Sequence, residues 1–254
     1  MRKIQQELAV PMTVLALDTA LGACSVAVSR GEALLASRFQ LLKRGHAEAL
    51  MAMIDTVCQE AGMALGDIDL FAATLGPGTF TGVRIGLSAA RGLALALDRP
   101  LVGYSTLEVM AWAALPLLTP GANLLVVHDA HREEVYVQLF KAGSDNSLVT
   151  VLPPVLSGLS DLAGYLSSGP IVEPVWLVGS GAELVASISP QGFKSSLLEG
   201  GPVNPDAAVL ALLAGRNFLP GEGAAAMRGY FDQPAVLPLY LRAPDAKLPG
   251  GASL

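Results

Sequence analysis

Three sets of residues have types and spacings that could carry chemistry. The first is Gly76-Pro77-Gly78-Thr79-Phe80-Thr81-Gly82-Val83-Arg84-Ile85-Gly86, a glycine-rich stretch between a short apolar run and a longer one. N–H groups left free at the start of a helix attract anions, so Gly76, Gly78, Thr79 and Thr81 form a candidate nucleotide loop. No Gly-Lys-Ser/Thr follows the glycines, so no lysine reaches a phosphate as in a Walker loop. The second set is Asp18-Thr19, which closes the apolar run Thr13 to Leu17. A carboxylate at the end of a first strand can meet a nucleotide or metal, or simply bind the N–H groups of its own turn. The third set is the histidines His46, His128 and His131. Zinc needs three or four ligands in fixed geometry. The position that would give His46 a partner on the same helix face is Leu50, and His128 and His131 flank a surface turn. No G-x-S-x-G nucleophile elbow occurs.

The elements that would position these residues can be read from periodicity. Thr13 to Leu17, Ser25 to Ser29 and Ala33 to Phe39 are strand candidates, the last two joined by the turn Arg30-Gly31-Glu32. A helix starts near His46, with Leu50, Ile54, Val57, Cys58 and Ala61 on one face, and Gly62 ends it. Ala49, Met51 and Met53 widen its apolar surface, which suggests deep burial or another chain. Leu70 to Leu75 is a buried strand that leads into the glycine stretch, which opens a helix running to Leu97. Gly82, Gly86, Ala90, Leu93 and Leu97 recur on one face of it, and Thr79 or Thr81 caps it. A glycine inside a helix costs about 1 kcal/mol against alanine, so Gly82, Gly86 and Gly92 need a packing reason. Arg84, Ser88 and Arg91 share another face, for an acidic partner or for solvent.

Beyond Asp98-Arg99-Pro100 the pattern restarts more loosely. Leu101 to Tyr104 reads as a strand, and Ser105 with Glu108 as a capping box for a helix ending at Pro116. Leu124 to Val127 and Val135 to Phe140 form a hairpin, followed by a polar loop from Lys141 to Asn146. Val151 to Pro154 reads as extended, Ser157 to Leu166 as a helix, Trp176 to Val178 as a strand and Asp206 to Phe218 as a helix. The sum is an α/β protein with two lobes and mixed sheets, meeting near Asp98 to Tyr104.

Composition narrows the function. The chain has 254 residues and a net charge of −6, which argues against nucleic-acid binding by this chain alone through Arg38, Lys43 and Arg44. Mean hydropathy is +0.51, yet no uninterrupted apolar run reaches the roughly 18 residues of a membrane span. Two cysteines, Cys24 and Cys58, make no disulfide framework and suggest a reducing cytoplasm. Met1 to Pro11 carries no apolar signal segment and reads as a loose extension.

Several stretches together resemble the TsaB family. They are Leu15-Ala16-Leu17-Asp18-Thr19 with Cys24-Ser25-Val26-Ala27, His46-Ala47-Glu48, the whole glycine stretch, Asp129-Ala130 with Glu134-Val135-Tyr136, and Pro238-Leu239-Tyr240-Leu241-Arg242. The likeness runs from Met12 to Arg242. It departs at Ala20, where serine is usual, and at His131, where arginine is usual. Residues 141–199 diverge most. The resemblance implies the two-lobed fold of actin, heat-shock chaperones and sugar kinases (ribonuclease H-like). The first lobe would span residues 12–103, with helix 206–218 packing back on it. The second lobe would span 104–205, and 219–254 would be an extended tail. It implies a subunit of the machinery that makes threonylcarbamoyladenosine at position 37 of tRNA, partnered by the catalytic paralogue TsaD and the ATPase TsaE. TsaD relatives hold a metal with two histidines four apart. Leu50 in place of the second implies the non-catalytic relative, with no tightly bound cofactor and ATP or ADP only at the assembled complex.

The expectation is therefore a scaffold that contacts TsaD through His46, Leu50, Met53, Ile54 and Val57 on one helix and Gly82, Val83, Gly86, Ala90 and Leu93 on the next. The same surface would form a homodimer in the absence of TsaD, and tRNA would be met only through the complex. The alternative, from another class, is a stand-alone nucleotide-binding phosphotransferase using Asp18, Thr19 and the glycine loop.

Overall fold

The computed structural model describes residues 11–188, 193–218 and 236–242. The extension at the start, and residues 219–235 and 243–254 of the expected tail, lie outside the described residues.

The chain opens with a three-stranded meander: β1 (Thr13–Asp18), β2 (Ala23–Arg30) and β3 (Ala33–Leu41). Next come α1 (His46–Glu60), β4 (Leu70–Thr74), α2 (Phe80–Ala96) and β5 (Leu101–Tyr104). The strands lie in the order β3-β2-β1-β4-β5. The meander pairs antiparallel, while β1 with β4 and β4 with β5 pair parallel. β1 and β4 are buried at every residue, as expected of central strands covered on both faces. On one face Leu15, Leu17, Val26 and Phe71 pack against Leu50, Ile54 and Val57 of α1 and Leu87, Ala90 and Ala94 of α2.

The second half repeats the plan. After α3 (Thr106–Ala114) come β6 (Asn123–Asp129), β7 (Glu134–Ala142), β8 (Leu148–Gly158), α4 (Leu162–Ser167), β9 (Val175–Val178), α5 (Ala182–Ile188) and β10 (Ser195–Leu197). The order is β10-β9-β6-β7-β8, again with an antiparallel meander and two parallel pairs. The last helix among the described residues, α6 (Ala207–Asn217), returns to the first sheet. Its Ala207, Leu210, Ala211 and Ala214 cover Val14, Ala16, Ala27, Leu70 and Ala72, on the face opposite α1 and α2. Asp206 Oδ1 caps it by accepting from Ala208 N at 2.8 Å.

Several local expectations change. Val151 to Pro154 is part of the long edge strand β8, and that strand runs through Ser157, where the sequence predicts helix. Pro153 and Pro154 hide it because proline cannot donate to a ladder. The β7–β8 register slips between Val137 and Leu139, opposite them. A 3-10 turn, Leu159–Asp161, follows the strand, and α-helix begins only at Leu162. α5 and β10 are too short to show a period in the sequence. The capping box at Ser105 is half made: Glu108 accepts from the Ser105 backbone N–H, while the serine hydroxyl has no partner among the described residues.

Candidate functional site

The glycine stretch turns β4 into α2 through Gly76, at φ 99°, and a cis Gly76–Pro77 bond. Thr79 is the N-cap, its Oγ1 accepting from Gly82 N at 3.0 Å, while Thr81 is exposed. What the glycines admit is the chain itself. A Cβ on Gly78 would lie 2.5 Å from the Ala20 carbonyl oxygen, and one on Gly86 would lie 2.7 Å from Thr19 Oγ1. One on Gly82 would overlap the Thr19 carbonyl oxygen. Thr19 Oγ1 donates to the Gly82 carbonyl at 2.6 Å, and Thr79 N donates to the Ala20 carbonyl at 2.9 Å. The turn after β1 is thus seated on the first turns of α2.

This changes the candidate nucleotide loop. Asp18 is fully buried, with Oδ1 accepting from Thr74 Oγ1 at 2.5 Å and Ala20 N at 3.3 Å, and Oδ2 without a partner among the described residues. Burial pushes its carboxyl up to about 7 against the lowering effect of those two hydrogen bonds. Gly78 and Thr79 line an open cleft, but Asp18, Thr19, Gly76 and Thr81 do not. The six residues read together in the sequence therefore do not converge on one open site. Among the described residues no group of three or more His, Cys, Asp and Glu side chains could hold a metal.

The expected partner residues also need correction. Leu50, Met53, Ile54, Val57 and Ala90 are buried in the first lobe's own interior, and Leu93 packs against it, while Val83 is buried in the apolar cluster shared with the second sheet. Gly82 and Gly86 face Thr19. The His46 ring is half-buried, its Nε2 at 3.1 Å from the Leu21 carbonyl oxygen. The helical period marks the side of each helix that covers the sheet. The outer surface of this touching pair carries other residues: Ala47, Met51, Ala52, Asp55 and Thr56 from α1, and Ser88, Gly92, Leu95 and Ala96 from α2, all exposed. A Cβ on Gly92 would meet nothing within 4 Å, so no contact among the described residues explains that glycine.

A cleft of about 620 Å³ lies between Pro77–Phe80 and Arg84 on one side and the β6–β7 turn, His128–His131, with Tyr136 on the other. Leu239–Arg242 also line it. Arg84 sits 3.6 Å over the Phe80 ring and donates from Nε to Tyr240 Oη at 2.8 Å. Arg91 donates to the Val236 carbonyl. The arginine face of α2 therefore meets a late segment of its own chain. Burial lowers the His128 imidazole to about 4, so it stays neutral. Ser180 Oγ accepts from Asp129 N at 3.1 Å and lies 2.7 Å from His128 Nδ1. In the turn, His131, Arg132 and Glu133 hold φ of 59°, 60° and 59°, a left-handed run that needs outside support in L-residues. In the sequence the Pro238–Arg242 stretch stands out only as part of a resemblance, and nothing in its composition signals that it spans the cleft.

Two lobes of the same strand order, each a meander extended by two parallel strands with helices on both faces, define the actin, heat-shock chaperone and sugar-kinase type of fold. YeaZ from Pseudomonas aeruginosa has this structure at a TM-score of 0.70 and 29% identity, with 91% of this chain and 100% of that one covered. The chain belongs to the TsaB/TsaD family: the family model described as TsaD, tRNA N6-adenosine threonylcarbamoyltransferase, matches residues 40–176, more than half of it. The tRNA threonylcarbamoyladenosine biosynthesis protein TsaB of Haemophilus influenzae is 41% identical over 126 residues, 49% of this chain and 52% of that protein. The chain thus matches about half the length of that relative. The protein of the same name from Bacillus subtilis is 29% identical over 241 residues, 93% of this chain and 96% of its own length.

Proposed function

We propose that this chain is a non-catalytic scaffold that binds a TsaD-type partner and supports threonylcarbamoyl transfer to adenosine 37 of tRNA. The observation that carries the reading is the outer face of α1 and α2. Ala52, Ser88, Gly92 and Ala96 are small and exposed, and Met51 and Leu95 are large, apolar and 48% and 59% exposed beside them. Small side chains let a second pair of helices approach closely, and an ordinary interface buries about 800 Å² on each partner. The same face would form a homodimer when TsaD is absent. TsaE, nucleotide and tRNA would join through the assembled complex. The single imidazole of His46 is directed at a backbone carbonyl, and Leu50 is buried in the interior, which suits a subunit without its own metal clamp.

The test is Gly92→Leu. Because that position opens onto free space, the isolated fold should survive while calorimetric affinity for the TsaD partner falls by at least tenfold. Unchanged affinity overturns the assignment of this face. Gly86→Leu cannot serve, because it would collide with Thr19 inside the first lobe. The phosphotransferase alternative requires Asp18 to reach a ligand, and its carboxyl is sealed. Binding or turnover of magnesium-ATP by the purified chain alone would revive that alternative.

A further inference from the structure

The segment Val236–Arg242 touches both lobes at once. Towards the first lobe, Leu239 N donates to the Leu75 carbonyl at 2.7 Å, at the end of β4. The Val236 carbonyl accepts from Arg91. The Tyr240 ring lies 5.6 Å from that of Phe80 at an interplanar angle of 27°, and Arg84 ties the two together. Gly76 is held at φ 99° by the strand-to-helix turn, and a Cβ there would also stand 3.0 Å from the Leu239 carbonyl oxygen. Towards the second lobe, Arg242 pairs with Glu134 and lies 6.0 Å from the centre of the Tyr136 ring. Leu241 packs against the apolar cluster in which Ala20, Leu21 and Val83 meet the second sheet.

We propose that Val236–Arg242 is an intramolecular clasp that fixes the angle between the lobes, making from within the chain the contacts to both cleft walls that a bridging ligand would otherwise make. It has two latches of different chemistry. The first is the Phe80–Arg84–Tyr240 stack, where a guanidinium held over aromatic faces is attracted by their negative π surfaces. The second is the Arg242–Glu134 pair, half-buried and so screened less than a surface pair. Glu134 directly follows the left-handed run His131–Glu133, so this latch also braces the strained turn. The clasp is distinct from the outer α1/α2 face and independent of the scaffold role.

Spin labels at Gln59→Cys on α1 and Lys141→Cys on β7 report the distance between the lobes. Both positions are exposed, and the two native thiols are buried. Labelled chain is diluted in unlabelled chain so that only distances within one molecule contribute. The parent should give one narrow distribution. Arg242→Glu, which sets two carboxylates against each other, should broaden it and speed amide exchange in residues 131–134 by about tenfold or more, with the amides of β1 and β6 unchanged. Adding Glu134→Arg reverses the pair and should restore both the narrow distribution and the slow exchange. An Arg242→Glu chain that keeps the parent distribution overturns the clasp. So does failure of the reversed pair to restore it, because a general loss of folding would leave both variants alike.

Discussion

The glycines of α2 serve two different purposes, although all three positions look alike in the sequence. Gly86 is closed off by Thr19, so Gly86→Ala should destabilise by about 1–3 kcal/mol, the usual cost of forcing extra atoms into a packed site. Gly92 is exposed with open space around it. Gly92→Ala should therefore stabilise the isolated chain by up to about 1 kcal/mol through helix propensity. Urea denaturation of both variants checks the pair, and opposite signs are required. Asp18 gives a pH signature. Its folded value of about 7 lies above the roughly 3.9 of a free aspartate, so the folded state holds a proton that the unfolded chain releases. Its cost is absent below about pH 4, grows as pH rises towards 7, and is constant beyond. A tenfold difference in proton affinity between the folded and unfolded chain is worth about 1.4 kcal/mol. Asp18→Asn should hence gain stability relative to the parent by a few kcal/mol on going from pH 4 to pH 8, measured by denaturation at both. His128 titrates in the opposite sense, its contribution being lost as pH falls towards 4, but that contribution is common to both chains and cancels in the comparison.

At the scale of elements, the helices and the first sheet are legible in the sequence because each buries a long regular face. α1 and α2 show their period through Leu50, Ile54, Val57, Gly86 and Ala90, and the alternation of Val135, Val137 and Leu139 marks β7. The same signal misleads about the partner surface. Periodic apolar residues report the face that is buried, and in a single chain that face belongs first to the chain's own sheet. The outer face repeats Ser88, Gly92 and Ala96 at four-residue steps, but small and polar residues at that spacing carry no hydrophobic signal to mark them as a surface for a partner. Nor can the sequence say which loops meet, since Asp18–Ala20 contacts α2 across some sixty positions and Tyr240 contacts Phe80 from farther still. The cap is ambiguous between two threonines, and only geometry separates them. Thr79→Ala should cost about 1 kcal/mol, the typical value of an N-cap, whereas Thr81→Ala should change stability by less than about 0.5 kcal/mol, as exposed substitutions usually do. Thermal unfolding of the two single variants side by side makes the comparison.

At the scale of the molecule, the duplicated sheets are joined by α3. Its Val109 belongs to the apolar cluster under α6 on the first sheet, while Leu107, Met110, Ala111 and Ala114 pack against Leu124, Val126 and Phe140 of the second. Ala20, Leu21 and Val83 from the first lobe join that second cluster. With a shared helix and a shared apolar layer, neither lobe can expose its side of α3 without uncovering the other. The two tryptophans allow this coupling to be read separately. Trp112 lies on α3 with the Arg216 guanidinium of α6 at 5.3 Å from its ring, and Trp176 lies on β9 in the second sheet. Met110 is fully buried, so Met110→Ala should cost about 2–5 kcal/mol. In Trp112→Phe and Trp176→Phe backgrounds the remaining fluorophore should report the same urea midpoint, and Met110→Ala should lower both midpoints equally. If the Trp112 transition moved while the Trp176 transition stayed in place, the second sheet would unfold separately and α3 would belong to the first lobe alone. Coincident shifts would mean that a partner bound to α1 and α2 stabilises the second lobe as well, by mass action on one shared unfolding equilibrium.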